Sequence, residues 1–130
     1  MSERRDIAIG RTTLPGLDRL SEHLRFLTQR NRVLAGNLAN LDTPGYRAKD
    51  LELSERFDRT VTPEGVDGRL QYQTRALQRD DEVPDQDGNS VSLEAQVAHL
   101  DDNTLRYRSL AEVLSRRIGL LRYAATDGRG

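Results

Sequence analysis

Histidines and carboxylates are the residues of this chain that could serve a metal ion or a proton transfer. His23 and His99 each lie in a stretch with helical periodicity, and neither has a histidine or a carboxylate at the i+4 spacing of a helical metal site. The sequence has no GxSxG, Walker A, GxGxxG or HExxH pattern, and it has no cysteine. We therefore expect no catalytic residue, no metal and no cofactor, and we do not expect an enzyme.

An acidic segment, Asp-Gln-Asp-Gly-Asn at residues 85–89, is similar to part of a calcium-binding loop. Its glycine is at the fourth position, and Gln96 occupies the twelfth, where such a loop needs a bidentate glutamate. The pattern favours a solvated turn that precedes a helix.

Composition limits the size of the core and the class of partner. Only 35% of the 130 residues are hydrophobic while 32% are charged, so a thick core is not expected. The net charge is −1, and the basic residues are not interleaved with aromatic ones, which argues against a nucleic-acid partner. No apolar run is long enough to insert in a membrane, and the first ten residues lack the apolar core of a cleaved signal.

Leucines at alternating spacings of three and four residues mark a long N-terminal helix. The pattern predicts a helix over residues 17–42 after a flexible arm at 1–16, with a narrow seam suited to coiled-coil packing. Asn31 occupies the one polar position of the seam. The seam leucines are Leu17, Leu20, Leu24, Leu27, Leu34, Leu38 and Leu41.

Prolines and glycines separate this helix from a second one. Residues 43–91 are predicted to be irregular and partly disordered, or to contain a small β-structure, with Arg69–Thr74 as a strand or part of a hairpin. Ser92 is a suitable N-cap for a helix over residues 92–126, and residues 127–130 form a tail. Positions of a second heptad seam are Leu93, Val97, Leu100, Thr104, Tyr107, Ala111, Leu114, Ile118, Leu121 and Ala125.

These elements predict a mainly α, single elongated domain. Its two long helices would pack as a coiled-coil-like hairpin around an irregular or small β-containing middle segment. Leu110, Val113 and Leu120 lie off the second seam, and an antiparallel partner helix would not obviously cover them. They indicate contact with other subunits.

The most specific string joins the end of the first helix to a turn. Asn37 and Asn40 are three residues apart and share a face, so their amides could bond the last helix carbonyls or the turn backbone. Thr43 precedes Pro44 and Gly45, which suit the centre of a type II turn, and Tyr46 follows with a flat apolar ring and a polar tip.

Two segments together resemble one known family. The string NLANLDTPGYRAKDLEL at residues 37–53 is similar to the N-terminal signature of bacterial flagellar axial proteins, the rod and hook family. The string DGNSVSLEAQVAHLDDNTLRYRSLAEVLSRRIGLLRYA at residues 87–124 resembles the C-terminal pattern of the proximal rod members. The likeness covers residues 17–57 and 87–125, with Gln96 and Val97 standing where an acidic residue and methionine are typical.

The resemblance implies a structural subunit of the proximal rod that polymerises through coiled-coil helix packing and transmits torque. It implies export through the flagellar type III apparatus without a cleaved signal, and a place in the periplasmic rod of the basal body. The implied partners are further copies, FlgC and other rod proteins, and FliE and the MS ring at the proximal end. The alternative reading is a soluble coiled-coil adaptor that binds one partner helix.

Assembly contacts are expected from the helix-to-turn string and from the two seams. These residues are Asn37, Asn40, Thr43, Pro44, Gly45, Tyr46, Leu27, Leu34, Leu38, Tyr107, Leu110, Leu114, Ile118 and Leu121.

Overall fold

Along the chain, a β-hairpin lies between two long helices. The computed structural model describes residues 16–127 except 64, 80–82, 85, 87 and 90. The elements are α1 (Leu17–Ala39), β1 (Lys49–Thr62), β2 (Gly65–Gln78) and α2 (Leu93–Asp127). A mainly α fold with a small β-structure in the middle is therefore confirmed. The predicted arm before Gly16, the tail after residue 127 and two aspartates of the calcium-loop-like segment lie outside the described residues.

The start of α1 lies against α2. Gly16 precedes the helix with φ of 95°, and its carbonyl accepts the first helical bond from the Leu20 N–H at 3.2 Å. A side chain at this position would place Cβ 2.8 Å from Nη1 of Arg117. The left-handed backbone favours glycine here, whereas the contact alone does not require it, because the guanidinium group is the end of a flexible side chain.

The helices run antiparallel. The Asn103 side chain donates to the carbonyl of Leu27, midway along α1, and Gly16 lies beside Arg117 further along α2. Since α2 has 35 residues and α1 has 23, the last part of α2 extends beyond the first turn of α1. About ten residues of α2, or roughly 15 Å of helix, lie past Arg117.

The buried interior of the described chain is more polar than apolar. Its apolar members are Leu27, Leu34 and Ala48. The buried polar residues are Asn37, Asp50, Asn89, Gln96 and Asn103. A core this small cannot stabilise the fold by hydrophobic burial alone, so the hydrogen bonds and ion pairs of its polar members decide how the elements dock.

The predicted seam of α2 is wrong over its first turns. Leu93 and Val97 are 50% and 42% exposed, whereas Gln96 is 0% exposed and Asn103 lies one heptad further on in the same buried row. The helix presents this polar row to α1 because its amides find hydrogen-bond partners there, and the leucine and valine remain at the surface.

The hairpin is longer than the sequence pattern predicts. β1 and β2 pair antiparallel over their whole length, from Lys49 opposite Gln78 to Thr62 opposite Gly65. The expected strand at Arg69–Thr74 lies within β2. Near the tip, Phe57 packs over Gly68, where an added Cβ would lie 2.4 Å from the ring. A two-stranded ribbon of this kind needs a partner surface, and its base packs on α1.

Candidate assembly surface

The turn after α1 has the predicted geometry. The Tyr46 N–H donates to the Thr43 carbonyl at 3.2 Å, and Gly45 has φ of 72°, as the third position of a type II turn requires. Thr43, Pro44 and Gly45 are exposed, so this turn presents its tip to solvent. The turn is therefore accessible to a neighbouring molecule.

Asn37 makes its contacts inside the subunit. Its Nδ2 donates to the Lys49 carbonyl at 2.7 Å and to Oε1 of Gln96 at 2.9 Å. Its Oδ1 accepts from the Lys49 N–H at 3.0 Å and from the Tyr46 hydroxyl at 3.3 Å. One buried amide therefore joins α1, the turn, β1 and α2, and a direct contact of this amide with a neighbouring subunit is not what the structure shows.

Asn40 has a local role. Its Nδ2 donates to the Gly36 carbonyl at 2.8 Å, and its Oδ1 accepts from the Thr43 hydroxyl at 3.2 Å. The expected bond from this amide to a terminal helix carbonyl is confirmed. Unlike Asn37, Asn40 is only partly buried, so the two asparagines that share a face have different surroundings.

A second buried asparagine fastens the segment before α2 to the same turn. Asn89 donates from Nδ2 to the Leu41 carbonyl and accepts the Val91 N–H at 2.9 Å. Ser92 then caps α2 as predicted, since its hydroxyl accepts the Ala95 N–H at 3.3 Å. The two ends of the middle segment are thereby held together at one end of the helix pair.

Asp50 is the centre of a buried ion-pair cluster that the sequence analysis missed. Its Oδ1 and Oδ2 accept from Nε and Nη2 of Arg30 at 2.7 and 2.9 Å, and Oδ2 also accepts from Nη2 of Arg79 at 2.9 Å. Nη1 of Arg79 donates to Nε2 of His99 at 2.7 Å. The cluster therefore connects α1, the start of β1, the residue that follows β2, and α2. No local pattern marks it, because its arginine members are 20 and 29 residues from Asp50 in the chain.

The electrostatics of this cluster favour its charged form. Burial alone would raise the pKa of Asp50, but hydrogen bonds from Arg30, the Leu51 N–H and Arg79, with the positive charge of Arg30, lower it to about 2. The hydrogen bond to Asp50 likewise raises the pKa of Arg30. The hairpin is thus held to the helices by an ion pair that persists at neutral pH.

The expected seam residues divide into an inner and an outer group. Leu27 and Leu34 are buried, and Leu38, Leu110 and Leu114 are half-buried between the helices. Tyr107, Ile118 and Leu121 are exposed at about two-fifths of their surface. Leu120 is 69% exposed and lies with Val113 and Tyr123 at helical spacings of seven and three residues. We call these three residues the outer stripe of α2.

No metal centre is found in the part of the chain that the structure describes. That part contains no group of three or more histidine, aspartate or glutamate side chains placed to hold a metal ion. His23 instead bonds the Arg19 carbonyl at 2.9 Å and lies 3.3 Å from Oε1 of Glu55. None of the helices within the described residues has the length and apolarity needed to cross a membrane.

Comparison with known proteins identifies the family. No family model matches the chain. A flagellar basal body rod protein FlgB from Cereibacter sphaeroides is 32% identical over 113 residues, which cover 78% of this chain and 88% of the relative. The chain belongs to the FlgB family. An Escherichia coli K12 FlgB is 33% identical over 129 residues, and one from Yersinia ruckeri is 29% identical over 126, covering 91% and 92% of those relatives.

Membership of the FlgB family gives the coarse role of the chain. The FlgB relatives support a structural component of the flagellar basal body rod, and the family expected from the two sequence segments is confirmed.

Proposed function

We propose that this FlgB-family chain is a subunit of the proximal rod that polymerises through its helices into part of a torque-transmitting shaft. The observation that carries the proposal is the C-terminal part of α2, which extends past the start of α1. It exposes Ile118 and Leu121 on one side and Leu120 and Tyr123 on the other. Apolar side chains on both sides of one helix call for more than one partner surface.

In this proposal helices of neighbouring subunits cover those side chains by coiled-coil packing. A head-to-tail contact repeated by a screw operation gives an open tube rather than a closed oligomer. Leu38, Tyr107, Leu110 and Leu114 support the contact from the half-buried seam. Thr43, Pro44 and Gly45 present the exposed turn to a neighbour. Asn37, Leu27 and Leu34 contribute indirectly by holding the subunit in the shape that assembles.

The same proposal assigns the partners and the compartment. Further copies of the chain, FlgC and other rod proteins would extend the tube, with FliE and the MS ring at its proximal end. The subunit would leave the cytoplasm through the flagellar type III export apparatus and assemble in the periplasm. Torque would pass through the Asp50 cluster, because Asp50 joins the hairpin to Arg30 of α1, and Arg30 also pairs with Asp102 of α2. We propose no catalytic role.

The test separates assembly from folding. Leu120→Asp and Leu121→Asp, each replacing the chromosomal copy, should retain helix content by circular dichroism because both positions are exposed, yet should abolish swimming and incorporation into purified basal bodies. Ala98→Asp, at an exposed position in the first turns of the same helix, is the matched control. Normal swimming and normal incorporation of both leucine variants would refute the proposal and favour the adaptor reading.

A further inference from the structure

One face of the β-hairpin extends further than the helix on which it packs. The base of this face lies on α1, where Glu55 forms an ion pair with Arg19 at 2.9 Å. α1 begins only two residues before Arg19, at Leu17. The six residues from Glu55 to Val61 add about 20 Å of strand in the same direction. The outer part of this face therefore lies beyond the first turn of α1.

Apolar side chains are uncovered on this outer part. Phe57, Arg59 and Val61 alternate along β1 and so share one face of the ribbon, and Leu70 is paired opposite Phe57. Phe57 and Val61 are 61% and 75% exposed, and Leu70 is 43% exposed. Arg59 forms no ion pair with any residue that the structure describes. We call these four residues the hairpin patch.

The start of α2 carries a second uncovered patch at the opposite end of the subunit. Gln96 bonds the last turn of α1, which leaves Leu93 and Val97 at the surface. Glu94 and Asp101 are exposed on the same side of the helix as these two, within an arc of about 100°. Neither acid forms an ion pair within residues 16–127 as far as these are described. We call Leu93, Glu94, Val97 and Asp101 the α2-start patch.

We propose that the hairpin patch of one subunit binds the α2-start patch of a second copy of this chain. The base of the same ribbon face already packs on a helix, so a helix is the fitting cover for its outer part. The contact would bury the apolar side chains of both patches and bring Arg59 opposite Glu94 and Asp101. Each side of the pair thus supplies the charge that the other lacks.

The two patches also agree in length. About 13 Å of strand separate Phe57 from Val61, and about 12 Å of helix separate Leu93 from Asp101. Because the patches differ and lie at opposite ends of the subunit, the contact is heterologous and repeats from copy to copy in an open row. It uses neither the outer stripe of α2 nor the exposed turn, so the inference does not depend on the role in the rod.

Self-association of the purified full chain tests the proposal. Leu120→Asp is present in every sample, so that association through the outer stripe is removed. Sedimentation velocity over a concentration series should show a mass that keeps rising beyond that of two chains, and added salt should reduce it. Arg59→Glu should weaken the association at least about tenfold, because like charges then face each other. Circular dichroism should not change, since Arg59 is exposed.

Complementary charge reversals identify the contact. The double variant Glu94→Arg, Asp101→Arg should fail to associate alone, as should Arg59→Glu. An equal mixture of the two variants should associate like the parent chain, because each hairpin patch then meets an α2-start patch of opposite charge. A role of these residues in folding alone would not produce this recovery.

The apolar part of the contact has a matched control one residue away. Val97→Asp should abolish association, whereas Ala98→Asp, about 100° around the helix and outside the α2-start patch, should leave it unchanged. A parent chain that stays monomeric, a mass that stops at two chains, or a mixture of the charge variants that remains dissociated would each overturn the proposal. Swimming is not measured here, so such a failure would leave the rod subunit to its own test.

Discussion

The side-chain amide of Asn37 donates a 2.9 Å hydrogen bond to Oε1 of Gln96, and both side chains are fully buried. This contact lies where α1, the following turn and the start of α2 meet. A polar pair in such a position costs desolvation, and it favours one register of the two helices, because a slip of α2 would move Oε1 of Gln96 away from Nδ2 of Asn37 and break their buried bond. The pair therefore fixes which residues of α2 face α1.

Replacement of the two asparagines should show how different their roles are. Asn37→Ala removes its hydrogen bonds with the Lys49 N–H, the Tyr46 hydroxyl and Oε1 of Gln96, so we expect it to lower the free energy of unfolding by about 3 kcal/mol. Asn40→Ala removes only local bonds and should cost about 1 kcal/mol. Urea unfolding followed by circular dichroism measures both, and equal losses would contradict the assignment.

A double-mutant cycle should show that Asn37 and Gln96 act together. Gln96→Ala and Asn37→Ala each remove the shared bond, so the double variant should be less destabilised than the sum of the single ones, with a coupling of about 1 kcal/mol. The matched pair is Asn40→Ala with Gln96→Ala, which share no bond and should add. Strict additivity in the first cycle would mean that the buried bond contributes nothing to the stability of the free chain.

The Asp50 cluster gives the fold a defined acid response. The pKa of Asp50 is lowered in the folded chain, from 3.8 to about 2, so the carboxylate contributes stability above its unfolded pKa and loses it as the pH falls toward 2. Asp50→Asn removes the buried carboxylate charge that faces the Arg30 and Arg79 guanidinium groups and should cost about 3 kcal/mol at pH 7.

The difference between Asp50→Asn and the natural chain should shrink between pH 4 and pH 2, because protonation then removes the same charge from the natural chain. Thermal unfolding across this pH range measures the difference. Glu52→Gln is the matched control, since Glu52 is exposed and should give a small loss without this pH dependence. A pH-independent cost for Asp50→Asn would show that its charge does not stabilise the fold.

Local chemistry is the part of this structure that the sequence predicts well. The leucine spacing predicts α1, Pro44 and Gly45 predict the turn, and Ser92 predicts the start of α2, since each signal depends on residues a few positions apart. The sequence does not predict β1, because Glu52, Glu55 and Asp58 are typical of a segment that is exposed to solvent. Only the docking of the hairpin on α1 gives Asp50 and Glu55 their arginine partners.

The buried row of α2 could not be found from hydrophobic periodicity. Leu93 and Val97 satisfy the heptad pattern, yet Gln96 and Asn103 are the side chains that face α1. A hydrophobic pattern counts polar residues as surface, whereas burial of an amide depends on whether a distant partner satisfies it. Those partners are Asn37 and the Leu27 carbonyl, which are 59 and 76 residues away in the chain.

The turn after α1 should tolerate only residues that adopt a left-handed backbone. Gly45 has φ of 72° with no heavy atom within 4 Å of an added Cβ, so backbone strain and not a clash decides the cost. Gly45→Val should lower the free energy of unfolding by about 1–2 kcal/mol, and Gly45→Asn should cost less because asparagine adopts this region more readily. Chemical unfolding ranks the two variants, and equal cost would contradict strain as the cause.

Leu34 and Leu121 offer a direct comparison of a residue that holds the subunit together with one available to a neighbour. Leu34 is fully buried on α1, so Leu34→Ala should lower the free energy of unfolding by about 2–5 kcal/mol. Leu121 is exposed on the part of α2 that extends past the start of α1, so Leu121→Ala should change the free energy of unfolding by less than about 0.5 kcal/mol. For assembly of a polymer we expect the opposite ranking, with Leu121 more important than its effect on unfolding suggests, because a small loss at Leu121 recurs at every subunit contact. Leu121→Ala should unfold in urea like the natural chain, and it should be incorporated poorly into basal bodies. Normal unfolding together with normal incorporation would show that Leu121 is not part of the assembly surface.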